Sequence, residues 1–320
     1  MRTGTPQPDT ALVRRLVADR FPRWAGLSVA PVPSAGTSNA MYRLGPDMVV
    51  RLPRTDGSAA DVAKEHRWLP LLAPRLPVAV PVPLGRGEPT DAFPRPWSVY
   101  RWLDGAPPDV DSLTEPQASA LARDLAECVG ALHGTDPAGG PASYRSEPLA
   151  QRDGATRAAI AELRAEVDGG AAAALWESAL RAPAHAGPPV WIHADLQPGN
   201  LLLRAGRLAA VIDFGCLGLG DPAVDLIAAW YVLPPRARET FRTVTGADPG
   251  AWERGRGWAL SVALMELQAY RGSHPVMAGH ARRVIGALLG SPALLEHPRD
   301  LGDPHLVAPV VGAPPDAPDA

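Results

Sequence analysis

Two short runs in the second half of the chain place carboxylate and amide side chains at fixed spacings. The first contains His193, Asp195 and Asn200, and the second is the tripeptide Asp-Phe-Gly at 213–215. A carboxylate such as Asp195 can orient a hydroxyl and accept its proton. Asn200 and Asp213 offer the oxygen ligands that Mg²⁺ prefers. Together these side chains suit the transfer of a phosphoryl group to a hydroxyl, with metal ions neutralising the phosphate charge.

The spacing of these residues matches two motifs of kinase-type phosphoryl transfer. Residues 193–200 fit the catalytic-loop pattern H-x-D-L-x-x-x-N, and residues 213–215 fit the metal-binding pattern D-F-G. The first motif makes His193 and Asp195 the candidate catalytic residues. Either motif alone occurs by chance in unrelated loops, but the two together in this order predict a functional site.

The segment between the two motifs predicts how they meet. Two short apolar segments, 201–204 and 207–212, flank Ala205-Gly206, which predicts a β-hairpin. Because a hairpin brings its two ends together, Asn200 at one end and Asp213 at the other would share one metal site.

A further run supports this interpretation. Residues 220–226 read Gly-Asp-Pro-Ala-Val-Asp-Leu, and together with 193–200 and Asp213 they resemble the aminoglycoside phosphotransferase family, for which G-D-P-x-x-D-L is characteristic. The chain contains no A-P-E sequence, and Ala194 stands where protein kinases have the arginine of H-R-D. Both departures distinguish the chain from a protein kinase. The resemblance extends over about residues 36–270.

This resemblance implies an α/β (α+β), protein-kinase-like fold with two lobes. Residues 1–103 would form a small nucleotide-binding lobe with an antiparallel sheet, and residues 104–304 a larger, mainly helical lobe for catalysis and acceptor binding. Proline, alanine and glycine dominate the chain from Gly290 onward, which predicts a disordered tail over 305–320. The resemblance also implies ATP or GTP as cofactor, together with Mg²⁺.

A turn of small residues between two N-terminal strands is a candidate phosphate site. Strands are predicted at about 27–33, 40–45 and 48–52, and backbone N–H groups in the turn between the first two can lie over phosphates. The turn has one glycine where G-x-G-x-x-G has three, so an ordinary hairpin turn is the alternative. The turn residues assigned to the nucleotide are Ser34, Gly36, Thr37, Ser38 and Asn39.

Arg51 stands where kinases place the lysine of the V-A-I-K strand. A guanidinium stays charged and can bind phosphate oxygens with two hydrogen bonds. Its expected partner is Glu65, on a helix predicted over 59–69, because an ion pair would orient the guanidinium toward the phosphates. Lys64 is adjacent to Glu65 and so points elsewhere on the helix. The alternative is a solvated Arg51, with Lys64 as the phosphate ligand.

Residues 97–105 predict a strand that runs into the linker between the two lobes. The family resemblance implies that main-chain groups in this linker, by position those of Tyr100 and Trp102, hydrogen-bond the adenine. Core packing of both aromatic side chains is compatible with that role, because main-chain groups make the contact. Main-chain contacts also leave the choice between ATP and GTP open.

Apolar residues at helical spacing predict a largely helical second half. The resemblance places an acceptor pocket between the segment 150–182 and the C-terminal helices. Trp252, Trp258, Glu266 and Tyr270 are candidate lining residues, with core packing as the alternative for each. The helices are predicted over 118–133, 150–182, 223–231, 236–245, 249–270 and 276–289.

Two further carboxylates lie in the G-D-P-x-x-D-L run. Asp221 and Asp225 stay outside the metal site in this interpretation. We expect both to accept hydrogen bonds from backbone N–H groups of the catalytic loop and so to hold that loop in place.

Composition and charge narrow the class of protein. The formal net charge of −3 argues against a nucleic-acid partner, and the two cysteines, Cys128 and Cys216, do not suggest a disulfide framework. The first twenty residues lack a secretory apolar segment, and no apolar run approaches membrane-spanning length. These features predict a cytoplasmic protein without a membrane partner, and we expect a monomer or a weak dimer.

The resemblance therefore implies an ATP-dependent enzyme that phosphorylates a hydroxyl of a small molecule, with an aminoglycoside or another antibiotic as acceptor and resistance as the role. A metabolite kinase of the same superfamily, acting on choline, homoserine or a sugar, is the first alternative. A catalytically silent nucleotide-binding module is the second, and the intact motif residues argue against it. The sequence does not identify the acceptor.

Overall fold

The structure is a computed structural model that describes residues 8–33 and 38–290. Three of the assigned turn residues, Ser34, Gly36 and Thr37, lie outside the described residues, as does the predicted tail. The described chain forms two compact units. The described part of the first comprises residues 8–33, 38–107 and Gly199–Gly215, and that of the second comprises 108–198 and 216–290. The division into lobes at residue 103 stays a prediction.

The described residues form nine strands and nine α-helices. The strands are β1 (Val29–Pro31), β2 (Asn39–Leu44), β3 (Met48–Pro53), β4 (Pro83–Gly87), β5 (Trp97–Arg101), β6 (Val190–Ile192), β7 (Leu201–Arg204), β8 (Arg207–Val211) and β9 (Gly218–Gly220). The helices are α1 (Thr10–Arg20), α2 (Asp56–Leu72), α3 (Glu115–His133), α4 (Asp153–Glu162), α5 (Gly169–Arg181), α6 (Ala228–Tyr231), α7 (Pro235–Thr245), α8 (Pro249–Tyr270) and α9 (Pro275–Leu289).

The first unit is built on an antiparallel sheet of five strands in the order β1-β2-β3-β5-β4. Successive side chains of a strand point to opposite faces, so Val50 and Leu52 enter the apolar core while Arg51 faces the other side. The register places Arg51 opposite Met41 of β2 and opposite Ser98 of β5. Arg51 therefore lies in the middle strand of the sheet, where both neighbouring strands fix its backbone.

Helix α1 contributes to the apolar core of this sheet. Its N-cap is Asp9, whose carboxylate accepts the N–H of Leu12 at 2.7 Å, the usual way of satisfying a free N–H in the first helical turn. The buried residues that pack together are Val13, Leu16 and Val17 of the helix with Tyr42, Leu44, Val50, Leu52 and Val99 of the strands.

Helix α2 is longer than the sequence indicated. It begins at Asp56 because Thr55 is its N-cap, with the hydroxyl accepting the N–H of Ser58 at 3.2 Å. One carboxylate, Glu65, lies among the buried apolar residues of this helix. A buried acid needs a partner of opposite charge, so its position predicts a nearby cation.

The predicted hairpin between the two motifs is confirmed. Strands β7 and β8 pair antiparallel around Ala205 and Gly206, which both have positive φ angles of 51° and 75°, as a two-residue hairpin turn requires. At the open end of the hairpin, the N–H of Ile212 donates to the carbonyl of Asn200 at 2.9 Å. The chain therefore returns to Asn200 just before Asp213.

The second unit is mainly helical, with one short antiparallel pair of strands, β6 and β9. Most of the 22 residues of α8 are buried. Its Gly257 allows a close approach to α5, because a Cβ atom there would lie 2.5 Å from the Cβ of Ala179. Strand β6 ends at Ile192 and leads directly into His193.

Two helix predictions can be made more specific. The segment 150–182 is helical, as predicted, and it consists of α4 and α5, since Asp168 starts α5 by accepting the N–H of Ala171 at 3.0 Å. The segment predicted over 223–231 is a 3₁₀ helix, Pro222–Ile227, followed by the single turn of α6. Within the ranges 8–33 and 38–290, no helix has the length and apolar character needed to cross a membrane.

Candidate active site

The predicted ion pair between Arg51 and Glu65 is present. Atom Nη1 of Arg51 lies 3.2 Å from each carboxylate oxygen of Glu65. The hydroxyl of Tyr100 also donates to Glu65, and the Arg51 guanidinium lies 5.4 Å from the centre of the Tyr100 ring. Glu65 is thus the buried acid of α2, and Arg51 is its cation.

The same guanidinium contacts the Asp-Phe-Gly turn. Atom Nη2 of Arg51 lies 3.2 Å from Oδ1 of Asp213. Burial alone would lower the pKa of Arg51, but the charges of Glu65, Tyr100 and Asp213 raise it above its ordinary value. Arg51 therefore stays cationic while buried, which is the property that a phosphate ligand needs.

Asp213 has a left-handed backbone conformation, with φ of 61°. Such a conformation is uncommon for a residue other than glycine and persists only where the surroundings hold it. Asn200 is fully buried and Asp213 is 7% exposed. The hairpin brings both oxygen-bearing residues to the same end of the unit, as the sequence predicted. No group of three or more His, Cys, Asp or Glu side chains that could hold a metal occurs among the described residues.

Lys64 contacts the other end of the same turn. Its ammonium donates to the carbonyl of Gly215 and lies 3.0 Å from the carboxylate of Asp61. The sequence predicted that Lys64 points elsewhere than Glu65, but both residues act on the same turn, Lys64 through Gly215 and Glu65 through Arg51 and Asp213.

Two of the assigned turn residues are described by the structure. Asn39 is buried and is the first residue of β2, opposite Pro53 of β3. Ser38 is half-buried, and its carbonyl accepts the N–H of Arg54 at 2.8 Å. Both residues lie at the end of the turn, and their contacts with a nucleotide stay a prediction.

The strand that leads into the linker carries Tyr100 and Trp102. Tyr100 lies within β5, and its side chain is buried against Glu65. The N–H of Trp102 donates to the carbonyl of Asp47 at 2.8 Å, and its indole N–H donates to Asp104 at 2.9 Å. The main-chain N–H of Trp102 is therefore already engaged, and the predicted adenine contacts of this segment stay a prediction.

In the second unit, both carboxylate oxygens of Asp195 have hydrogen-bond partners. Nη1 of Arg145 lies 3.1 Å from Oδ1 and also donates to the carbonyl of Ala194. The amide of Gln197 donates to Oδ2 at 3.0 Å. Asp195 is only 3% exposed, so these contacts fix the direction of its side chain.

Asp225 holds the backbone of the catalytic loop, as predicted. Its two oxygens accept the N–H of His193 at 3.0 Å and that of Ala194 at 2.7 Å. The imidazole of His133 lies 3.0 Å from the same carboxylate. Ala194 has a left-handed φ of 65°, a strained conformation for alanine, which the contacts of its N–H and its carbonyl stabilise.

The structure shows the contacts of two neighbouring residues, and the catalytic role of His193 stays a prediction. Asp221 does not have the role predicted for it, because it pairs with Arg254 at 2.7 Å and caps the following 3₁₀ helix through the N–H of Ala223. His193 places its Nδ1 atom 3.2 Å from the N–H of Asp195. The imidazole of His193 therefore supports the backbone of the residue proposed as the base.

Arg145 was missed by the sequence reasoning, because it lies in an irregular loop and in no motif. The loop is attached to β9: the N–H of Ser143 donates to the carbonyl of Leu219 at 3.0 Å, and its hydroxyl to that of Cys216 at 2.7 Å. Burial alone would lower the pKa of Arg145, but the charge of Asp195 raises it. Arg145 therefore stays cationic beside Asp195.

Glu266 is a second buried carboxylate in this unit. It is 4% exposed and accepts the hydroxyl of Tyr231 at 2.8 Å. Burial, followed by the charge of Asp195, raises the pKa of Glu266 to about 7. Trp258 and Tyr270 are buried in the core, and Trp252 packs against another tryptophan at 4.8 Å. Trp252 is only half-buried, and an acceptor-site role for these three aromatic residues stays a prediction.

The fold and these contacts define a protein of the kinase-like class. A model of the phosphotransferase enzyme family matches residues 29–258, and the chain belongs to that family. It is a kinase-type enzyme, and the predicted resemblance and protein-kinase-like fold are both confirmed. A search of curated proteins found no significant match.

Solved structures of similar fold include those of aminoglycoside and macrolide phosphotransferases. The GDP and kanamycin complex of APH(2")-IIia has a TM-score of 0.69 at 19% identity, covering 87% of this chain and 98% of that chain. The streptomycin-ATP-APH(2")-IIa ternary complex has a TM-score of 0.57 at 16% identity, covering 88% and 91%. Macrolide 2'-phosphotransferase MphH from Brachybacterium faecium has a TM-score of 0.57 at 25% identity, covering 88% and 97%.

Proposed function

We propose that this enzyme transfers the γ-phosphate of a nucleoside triphosphate to a hydroxyl of a small molecule. The observation that supports this most strongly is the Arg51 guanidinium, which contacts both Glu65 and Asp213 at 3.2 Å. A kinase needs a cation for the phosphates beside a carboxylate for the metal, and this arrangement offers both. A silent binding module would not need an intact base at Asp195.

The nucleotide half of the reaction is assigned to the first unit. Arg51 would bind phosphate oxygens, and Glu65 would keep its guanidinium in position. Asn200 and Asp213 would hold Mg²⁺, which fits their amide and carboxylate oxygens, because Mg²⁺ uses one or two protein ligands together with phosphates and water. The bound Mg²⁺ would neutralise charge on the transferred phosphoryl group.

The acceptor half is assigned to the second unit. Asp195 would orient the acceptor hydroxyl and remove its proton. Arg145 and Gln197 contact one carboxylate oxygen each, so they would fix the orientation of the base. Asp225 would keep the backbone of His193 and Ala194 in place through its two hydrogen bonds.

For the acceptor, we propose an antibiotic hydroxyl, on an aminoglycoside or a macrolide. The support is the similarity in fold to a kanamycin complex and to a macrolide 2'-phosphotransferase. ATP and GTP are both proposed as donors, since one similar structure contains ATP and another contains GDP.

The proposal is tested by an acceptor screen with ATP or GTP labelled at the γ-phosphate. The screen covers aminoglycosides, macrolides and metabolite alcohols, with Asp195→Ala as the inactive variant and the exposed Asp19→Ala as the matched control. Label should pass to an acceptor with wild type and Asp19→Ala, and drop by about 10²–10⁴ in rate with Asp195→Ala. Absence of Mg²⁺-dependent nucleotide binding by the wild type would contradict the proposal.

A further inference from the structure

One face of helix α2 lies against the Asp-Phe-Gly turn and contacts both of its ends. Glu65 holds Arg51, which contacts Asp213 at the start of the turn. One residue earlier in the helix, Lys64 donates to the carbonyl of Gly215 at the end of the turn. Helix α2 therefore contacts the turn directly through Lys64 and indirectly through Arg51, the cation that Glu65 holds.

The approach of the helix to Gly215 is close. A Cβ atom built on Gly215 would lie 3.2 Å from Oδ2 of Asp61, which is tighter than ordinary van der Waals contact. Asp61 in turn lies 3.0 Å from the ammonium of Lys64. An ammonium has three N–H donors, so Lys64 can serve a carboxylate on its own helix and a carbonyl of the turn at the same time.

We infer that Lys64 positions the metal-binding turn by fixing the carbonyl of Gly215, and that it is not a phosphate ligand. The inference rests on the proposed function, in which Asp213 holds Mg²⁺. Its physical basis is the backbone of Asp213, whose φ of 61° must be held by contacts around it. Arg51 supplies one such contact at the side chain, and Lys64 supplies a second at the carbonyl two residues later.

Lys64 is the only lysine in the chain, and its partners distinguish it from Arg51. Arg51 is 11% exposed and cationic between two carboxylates. The ammonium of Lys64 has one carboxylate and one neutral carbonyl as partners. A hydrogen bond from Lys64 to a neutral carbonyl fixes the position of the backbone at Gly215 and does not neutralise a charge there. That is the effect expected of a positioning residue.

The test compares Lys64→Met, Lys64→Arg and the control Arg67→Met, which removes an exposed cation from the same helix. Nucleotide binding is titrated with Mg²⁺ and repeated in EDTA, and hydrogen exchange is measured for the peptide that contains Asp213 and Gly215. With Lys64→Met, the Mg²⁺ concentration for half-saturation should rise about 10- to 100-fold, since one hydrogen bond from a charged group is lost.

The other readouts separate positioning from direct binding. Exchange should rise in the turn peptide and nowhere else with Lys64→Met, while nucleotide affinity in EDTA stays at the wild-type value. Lys64→Arg should recover part of the Mg²⁺ response, because a guanidinium also donates to a carbonyl, and Arg67→Met should match wild type.

Three results would overturn the inference. The first is an unchanged Mg²⁺ requirement with unchanged exchange in Lys64→Met. The second is a loss of affinity in EDTA as large as that in Mg²⁺, which would make Lys64 a phosphate ligand. The third is a wild type that binds no magnesium nucleotide, which would contradict the proposed function itself and with it the metal-site role of Lys64.

Discussion

Arg145 and Asp195 form a buried ion pair, with Nη1 of the arginine 3.1 Å from Oδ1 of the aspartate and side-chain exposures of 2% and 5%. The same nitrogen donates to the carbonyl of Ala194. Arg145 therefore joins the side chain of the proposed base to the backbone just before it. In the proposed mechanism this contact sets the direction from which Asp195 meets a hydroxyl.

Replacing Arg145 should damage both stability and turnover. Arg145→Met leaves Asp195 as an uncompensated buried charge, so unfolding in urea should show a loss of about 3–5 kcal/mol. Arg145→Lys keeps the charge but offers no planar pair of donors, so it should fold and show a lower kcat. Arg123→Met, an exposed change on α3, is the control. Wild-type kcat in a folded Arg145→Lys variant would remove Arg145 from the mechanism.

Asp225→Asn should loosen the catalytic loop. The N–H groups of His193 and Ala194 bond to different oxygens of the carboxylate, and asparagine replaces one of these oxygens with an NH₂ group that would face a donor. The expected cost is about 1–3 kcal/mol in the free energy of unfolding, together with a lower kcat. Chemical unfolding and initial rates check this, with the exposed Asp111→Asn as control. Equal stability of the variant and wild type would contradict the contact.

The Arg51–Glu65 pair predicts a coupled response. Arg51→Ala should lower nucleotide affinity about 10- to 100-fold, because charged hydrogen bonds are lost, and Glu65→Ala should do so more mildly, since the charge remains without its orientation. The double variant should be clearly non-additive. Arg51→Lys should recover part of the affinity but lack one contact of the planar group. Isothermal titration with magnesium nucleotide measures all four variants.

One pair of binding results would contradict the role assigned to Arg51. If Arg51→Ala binds nucleotide like wild type while Lys64→Ala does not, the assignment of the first unit is wrong. That result would make Arg51 a structural partner of Glu65 and nothing more.

Glu266 predicts a pH dependence of stability. Burial first, and Asp195 second, raise the pKa of Glu266 from 4.5 to about 7 in the folded state. The folded protein therefore binds a proton on Glu266 more tightly than the unfolded chain does. The stabilisation of the folded state by this protonation is fully present below about pH 4.5. It is lost as pH rises through about 7, and it amounts to about 3 kcal/mol by the linkage relation.

Glu266→Gln removes this titration. The difference in unfolding free energy between variant and wild type should thus move in favour of the variant as pH rises from 5 to 8. Urea unfolding at several pH values measures that difference, with the exposed Glu239→Gln as control. Parallel stability curves for wild type and Glu266→Gln would show that Glu266 does not titrate in this range.

The sequence predicted the contacts that follow from periodicity and motif. Arg51 and Glu65 could be paired in advance because a strand cation and a helix acid of opposite charge fall at the positions that kinase motifs define. The hairpin between β7 and β8 was equally accessible, since Ala205-Gly206 separates two apolar strands. Helix α8 was predicted with its observed bounds because its apolar residues repeat at helical spacing.

The contacts that escaped prediction join distant or irregular segments. Arg145 meets Asp195 across 50 residues from a loop without periodicity, and Lys64 meets Gly215 through a backbone carbonyl, which no residue type indicates. Asp221 was misassigned because its partner, Arg254, lies on α8, and sequence spacing carries no information about that pairing. Such contacts depend on the packed structure and not on local pattern.

The central claim is that Asp195 acts in chemistry and not in nucleotide binding. The most direct measurement is single-turnover transfer of labelled γ-phosphate by Asp195→Ala at saturating magnesium nucleotide and acceptor, alongside its nucleotide affinity. We predict affinity within a few-fold of wild type and transfer slower by about 10²–10⁴. Transfer at the wild-type rate by a folded Asp195→Ala variant would contradict the claim.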